Sequence, residues 1–450
     1  MKEQITICGA GLVGSLLSIF LKGKGYDVRV FEKRSDPRTF SGDAGRSINL
    51  AISHRGLHAL KDALPDLDTD VLKLAVPMFG RAIHDEVGNI TFQAYGESSQ
   101  HINSIGRVEL NVLLISKAEA LGVEFLFEHT CTTYDVGKKT WIFSDATKNL
   151  IETKSGEVLL GADGAFSIVR KKLLDVVQQE AQIDLLDYGY KELEIRTPYS
   201  DKIATQEALH IWPRERFMLI ALPNKDGSYT ATLFLSMQGD LSFESLNTNE
   251  KIQAFFKKYF SDALQLIPDL ENQFELHPTS RLTTIHSTQW HNDHTLLIGD
   301  AAHALVPFYG QGMNAGFEDC RIFSEIIDEK GTKNWEDIFC AFFVQRKKNT
   351  DAISDLALQN FIEMRDHVAD AAFLVRKKIE KYLHEEFKER FIPQYTLVSF
   401  SDTAYSVAKA VGLKHTIILD EIMSIADIES LWPTDHLKKE VIKIAQSYIN

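Results

Sequence analysis

The sequence predicts an α/β fold in which a Rossmann-like, doubly wound sheet is interleaved with an antiparallel sheet and followed by a helical C-terminal part. Three observations carry this expectation. Residues 4–32 read as strand, glycine turn, helix and strand, the βαβ unit from which doubly wound sheets are built. Residues 78–95 and 208–236 alternate in strand fashion around turn residues. Beyond about residue 314, long periodic segments with few breakers indicate helices.

Each element has a local cause. Gln4-Ile5-Thr6-Ile7-Cys8 is a short apolar run that stops at Gly9, residues 12–22 have helical composition, and Gly25-Tyr26-Asp27 turns the chain into the β-branched and aromatic strand Val28-Arg29-Val30-Phe31-Glu32. Gly88-Asn89 marks the turn of the first hairpin, and an odd-numbered loop centred on Gly88 would set Arg81 opposite Tyr95. Residues 208–236 hold two strand-like runs around Asn224-Lys225-Asp226-Gly227. Residues 314–329 and 335–390 carry the helical periodicity. With no Pro-rich or Gly/Ser-rich linker, the domains are expected to interleave. Residues 1–75, 100–180 and 280–325 form one, 76–99 and 181–279 a second, and 326–450 the helical region.

A chain of 450 residues, 44% hydrophobic and 25% charged, has the composition of an ordinary globular protein of two or three units. Its formal charge of −14, without a basic stripe, disfavours nucleic acid and anionic lipid as partners. Cys8, Cys131, Cys320 and Cys340 are widely spaced, with no C-x-x-C pair and no metal-ligand spacing, so no metal is expected and a reducing cytoplasm fits. No apolar run approaches the ~18 residues of a membrane span, and the start shows no secretory signal, so a soluble protein without membrane anchor is expected. The choice between monomer and homodimer stays open.

Gly9-Ala10-Gly11-Leu12-Val13-Gly14 is a G-x-G-x-x-G between a strand and a helix, and Glu32 follows Gly14 by eighteen residues at the end of the second strand. The first glycine permits a tight turn, the second lets backbone approach a pyrophosphate, and the third lets helix and strand pack closely. The open N–H groups of the helix start face the phosphates. An acid at Glu32 accepts hydrogen bonds from a ribose and disfavours a 2′-phosphate, which selects FAD or NAD over NADP for this site. Leu12, Val13, Lys33, Arg34 and Ala51 are placed with it around the nucleotide.

Two further segments each put an aspartate just after a strand: Gly161-Ala162-Asp163-Gly164 and Ile298-Gly299-Asp300-Ala301-Ala302-His303. With the first motif, in order and spacing, they resemble the three fingerprints of the aromatic-hydroxylase, class A flavoprotein monooxygenases, whose FAD domain is of the GR2 type. The resemblance implies noncovalent FAD, with Asp300 on the ribityl hydroxyls and Asp163 serving both the FAD region and the approach of NADPH. It also sets Arg107 close to FAD. The glycine-rich helix start at Gly310, Gln311, Gly312, Met313 and Asn314 would meet the flavin pyrimidine and stabilise negative charge there. His303 sits among alanines and reads as a structural histidine, as do His54 and His84. No second G-x-G-x-x-G exists, so NADPH visits rather than occupying its own domain.

Four longer segments go beyond the group: 45–56, Arg81-Ala82-Ile83-His84, Val306 to Cys320, and Leu356 to Asp366. They are similar to the kynurenine 3-monooxygenase family over nearly the whole chain, the likeness weakening after about residue 405. This resemblance implies an aromatic amino acid as substrate, gripped by Arg81, Tyr95, Asn360 and Tyr395. Arginine matches a carboxylate with two parallel donors. Met218, Ile220, Phe234, Pro307 and Phe308 would wall the ring. It implies hydroxylation of L-kynurenine to 3-hydroxykynurenine with NADPH and O2 through a flavin C4a-hydroperoxide, in tryptophan degradation and NAD biosynthesis. No protein nucleophile or triad is needed, because the flavin carries the chemistry. Another class A hydroxylase and a non-enzymatic flavin sensor are the alternatives. A halogenase is disfavoured because the five tryptophans form no W-x-W-x-I signature.

Overall fold

The computed structural model describes residues 3–39, 49–96, 100–203, 205–331, 334–364 and 371–449. Residues 45–48 and 365–366, within two of the segments that carry the resemblance, lie outside the described residues.

Strand Gln4–Cys8 is central in a six-stranded sheet, with Val158–Gly161, Thr295–Leu297 and His291–Asn292 on one side and Asp27–Phe31 and Glu124–Leu126 on the other. All neighbours are parallel except the His291–Asn292 edge pair. A parallel strand covered on both faces needs a continuous apolar run. Ile5 and Ile7 are accordingly fully buried beside Leu159 and Leu160. Truncating Ile7 to alanine would cost about 2–5 kcal/mol. Helix Leu12–Gly23, almost wholly buried, packs between helices Arg107–Ala120 and Gly312–Lys330.

The second sheet has seven strands in the order Ser280–His286, Gln182–Ile195, Tyr229–Ser236, Phe217–Pro223, Leu209–Arg214, Gly80–His84 and Ile90–Ala94. It is antiparallel except where Leu209–Arg214 runs parallel to Gly80–His84. The segment 208–236, expected to hold two strands, contains three. A tight turn at Glu215, with φ +46, splits the first run, because Phe217 resumes the apolar alternation one turn later. Alternation sorts the side chains onto two faces. Leu193, Trp212, Leu219 and Leu233 pack against helices Asn249–Tyr259 and Leu270–Leu276. The other face carries Ile83, Ile211, Met218, Ile220 and Phe234, and meets the 3-10 turn Pro307–Tyr309 and helices Trp335–Ile362 and Gln394–Phe400. The candidate site lies in this second interface.

The hairpin register differs from the expectation. Arg81 pairs with Gln93, and the Tyr95 amide donates to the Phe79 carbonyl at 3.2 Å. The loop Asp85–Asn89 is centred on Val87 because Asp85 ties it up, accepting from the Val87 and Asn89 amides at 3.0 and 2.7 Å. Gly88, at φ +89, takes the left-handed position after the apex. Arg81 and Tyr95 are therefore diagonal neighbours on one face rather than a directly opposed pair.

Sheet membership does not follow the boundaries drawn at residues 76 and 280. Val76–Met78 joins Asn49–Ile52 and Ile102–Gly106 in a small sheet, whereas Ser280–His286 is an edge of the seven-stranded one. The helical stretch expected over 335–390 consists of Trp335–Ile362 and Ala371–Phe387. Helices Tyr405–Met423 and Asp435–Ile449 complete the C-terminal core with Ala371–Phe387.

Candidate active site

The nucleotide motif separates glycines the fold needs from glycines it does not. Gly9 has φ +105, and a Cβ there would lie 2.5 Å from the Ala162 carbonyl oxygen. A Cβ on Gly14 would enter the Gly9 carbonyl. Gly11, at φ −71, and Gly312 would meet nothing within 4 Å among the described residues, so no packing there explains their missing side chains. No side chain caps the helix that starts after Gly11. Leu12 is buried, and Val13 packs against Gly299 and Gly316, bringing the first and third motifs together.

Glu32 is 6% exposed and accepts hydrogen bonds from the Ala10 amide and from Arg34 N and Nε, each at 2.9 Å. Burial opposes its charge, but the Arg34 contacts prevail and hold it below the ordinary carboxylate value. Lys33 and Arg34 are exposed beside it. Asp163 is engaged by its own helix start, accepting from Ser167 Oγ at 2.5 Å and from the Ile168 and Val169 amides at 2.7 and 3.2 Å. Arg170, missed in the sequence, donates to Ala165 O at 2.7 Å and Ala301 O at 2.8 Å and so joins the second motif to the third.

Asp300 is exposed at the start of the short helix Asp300–His303. The turn before it is held by Asp319, which accepts from the Gly299 amide at 3.1 Å and lies 2.6 Å from His303 Nε2. Arg346 Nε donates to Asp319 and its Nη1 to Glu318, both at 2.6 Å, and Arg55 donates to the other Glu318 oxygen at 2.6 Å. His303 is thus part of a buried ion network.

The side chains of Gln311 and Asn314 are committed inside the protein. Gln311 accepts from the Tyr405 hydroxyl at 2.9 Å and donates to Ser53 Oγ at 3.3 Å. Asn314 accepts from Ser53 N at 2.9 Å and donates to Ala51 O and Gly310 O, both at 2.8 Å. Their expected ligand contacts therefore reduce to backbone groups, since buried amides are satisfied where they stand. Gly310 has φ +65 and faces Ala51, and Met313 is half-buried against the core. Arg107 is exposed at the first position of its helix. It acts on Glu192, a carboxyl on the site-facing side of strand Gln182–Ile195 that burial raises to about 7 against the pull of Arg107.

Arg81, Tyr95 and Tyr395 meet although they come from a hairpin and a C-terminal helix. The Arg81 guanidinium carbon is 5.6 Å from the Tyr95 ring centre and 5.1 Å from that of Tyr395, and the two rings stack at 5.4 Å. Tyr309 also stacks on Tyr395, at 5.5 Å. Arg81 Nε and the Tyr95 hydroxyl are buried with no hydrogen-bond partner among the described residues. Burial raises the Tyr95 and Tyr309 phenols far above their ordinary values, so both stay neutral.

Beside this polar corner, Phe308 packs between Phe234 at 4.8 Å and Phe361 at 4.2 Å, with Met218 and Ile220 in the same cluster. Asn360 Nδ2 donates to Phe308 O at 2.6 Å, so its amide positions the wall. Pro307 is exposed. Tyr309, Phe361 and Glu363 were missed as site residues; all three lie in segments whose likeness had been noted, and only packing distinguishes them. Glu363 lies near Arg81 and 3.7 Å from Lys377 Nζ.

These features define an FAD-binding flavoprotein. Residues 2–329 match the FAD binding domain family, and the chain belongs to that family. It is 66% identical over 449 residues to the kynurenine 3-monooxygenase of Cytophaga hutchinsonii, covering 100% of both chains. The kynurenine 3-monooxygenases of Myxococcus xanthus (45%; 94% of this chain and 91% of that one) and Dictyostelium discoideum (42%; 94% of each) are also similar. On these whole-length identities it is a member of the kynurenine 3-monooxygenase family. Two solved structures share the fold. A 2-methyl-3-hydroxypyridine-5-carboxylic acid oxygenase has TM-score 0.64 at 20% identity, over 83% of this chain and 95% of that one. Tetracycline destructase Tet(51) has TM-score 0.60 at 16% identity, over 89% and 97%.

Proposed function

We infer that this chain is an NADPH-dependent flavoprotein monooxygenase that converts L-kynurenine to 3-hydroxykynurenine. The observation that carries the reading is the pairing of Arg81 Nε and Tyr95 OH, both buried and without a hydrogen-bond partner among the described residues, with an aromatic wall. An unsatisfied buried donor costs about 1–3 kcal/mol, and a ligand that accepts from it recovers that loss.

The residues fit FAD. The open space at Gly11 and Gly312 and the uncapped helix after Gly11 suit phosphate and ring atoms that approach backbone closely. The exposed Asp300 carboxylate suits hydroxyl donors, Glu32 keeps acceptor capacity toward a ribose, and Arg107 supplies a cation. When bound, FAD supplies the redox and oxygen-activating chemistry, with NADPH as reductant and O2 as oxygen source.

The chain's residues bind and orient. Arg81 takes the substrate carboxylate, the Tyr95 and Tyr395 hydroxyls complete the corner, and Glu363 offers a carboxylate to the ammonium. Phe234, Phe308, Met218 and Ile220 hold the aniline ring and exclude water. The ring amine already activates its ortho carbon, so no protein base is required.

Among the described residues no helix is long and apolar enough to cross a membrane. Mass spectrometry of the product formed from kynurenine, NADPH and O2 tests the proposal. A 3-hydroxylated product supports it, and NADPH oxidation with no organic product from any aromatic amino acid would overturn it in favour of a flavin sensor.

A further inference from the structure

We propose that His54, His58 and Asp402 form a binding site for a divalent transition-metal ion of the zinc type, outside the flavin and substrate sites. His54 and His58 stand one helical turn apart on His54–Ala63, on one face. Asp402 reaches both from the connection between helices Gln394–Phe400 and Tyr405–Met423. Its Oδ2 is 2.9 Å from His54 Nε2 and its Oδ1 3.0 Å from His58 Nδ1.

One donor atom from each residue lies within 4.8 Å of the others. Around a cation with ~2.1 Å bonds, neighbouring donors stand about 3.0–3.4 Å apart. Each histidine is already at about that distance from one of the two Asp402 oxygens, and rotation of the partly exposed side chains brings one donor from each residue to it. His54 and Asp402 are each 42% exposed and His58 34%, so an ion reaches them from solvent.

A further carboxylate stands behind His58. Its other ring nitrogen, Nε2, lies 3.3 Å from Asp62 Oδ2. Asp402 and Asp62 thus flank the His58 ring on its two nitrogens. A carboxylate behind a ligating imidazole is also the usual outer support of such sites. Two imidazoles and one carboxylate favour zinc, cobalt or nickel over calcium or magnesium.

The backbone around the site is already in place. Arg55, next to His54, donates to Val398 O at 3.2 Å and to Thr403 O. An ion would clamp helix His54–Ala63 to the chain that follows the Tyr395 helix. The proposal rests on none of the flavin or substrate assignments.

The test is calorimetric titration of chelator-treated, FAD-loaded protein with Zn2+, with thermal melting alongside. The wild type should bind one equivalent and melt higher with Zn2+. The double variant His54→Ala/His58→Ala should lose that equivalent and the shift, and Asp402→Asn should weaken binding at least about tenfold. No binding by the wild type, or equal binding by a folded double variant, would overturn the proposal.

Discussion

The guanidinium of Arg81 lies 5.1 Å from the ring centre of Tyr395, so a hairpin strand and a C-terminal helix together close one corner of the candidate site. Arg81 makes its cation–ring contacts on two tyrosines while Nε has no hydrogen-bond partner among the described residues. Removing one side of a buried arginine–carboxylate pair costs ~2–5 kcal/mol. Arg81→Ala should therefore raise the kynurenine dissociation constant by roughly 30-fold or more at unchanged FAD content. Arg81→Lys should recover only part, since an ammonium lacks the planar two-donor geometry. Titrating flavin absorbance with kynurenine measures it, and unchanged affinity in Arg81→Ala would leave Arg81 an ordinary strand residue.

Gly11 and Gly14 should fail differently when substituted. Gly11 has an ordinary φ of −71 and open space ahead of it, so Gly11→Val should leave apoprotein stability within ~0.5 kcal/mol while FAD binding falls at least about tenfold. Gly14→Ala drives a Cβ into the Gly9 carbonyl and should damage both. Flavin fluorescence and thermal melting of apoprotein separate the two. Equal FAD affinity in Gly11→Val would show that the pyrophosphate lies elsewhere.

Arg346 satisfies Glu318 and Asp319 at once in the buried network behind Asp300. Arg346→Met leaves both carboxylates short of a partner and should cost about 3–5 kcal/mol in urea denaturation. Because Asp319 also holds the Gly299 amide, the variant should lose FAD more readily than its stability alone explains. Wild-type stability in this variant would contradict the network's role.

Glu192 supplies a pH dependence. Its folded value of about 7 lies above the ordinary 4.5, so the stability its protonated form contributes is present below about 4.5 and lost as pH rises through 7. Glu192→Gln keeps the uncharged shape. The variant's melting temperature should exceed that of the wild type by an amount that grows from about pH 5 to pH 7 and then levels off. A constant gap across that range would place a charged Glu192 in the fold at all these pH values.

Much was determined by sequence alone. The βαβ start, the glycine turn and the position of Glu32, Asp163 and Asp300 just after strand ends were legible because each depends on local backbone conformation and on strand ends that any doubly wound sheet brings together. The residues around the candidate substrate corner could be named only through family resemblance, and their arrangement was misjudged where it hung on one turn. Asp85 capping moved the hairpin centre from Gly88 to Val87 and made Arg81 and Tyr95 diagonal. Tertiary structure alone decided that Gln311 and Asn314 use their side chains on Tyr405, Ser53 and Ala51, that Glu192 is half-buried with Arg107 as its opposing charge, and that Asp402 comes to rest between His54 and His58. Periodicity reports which face of an element is buried. It carries no record of which distant side chain arrives to satisfy a buried polar group, because that is settled by packing between elements far apart in the chain.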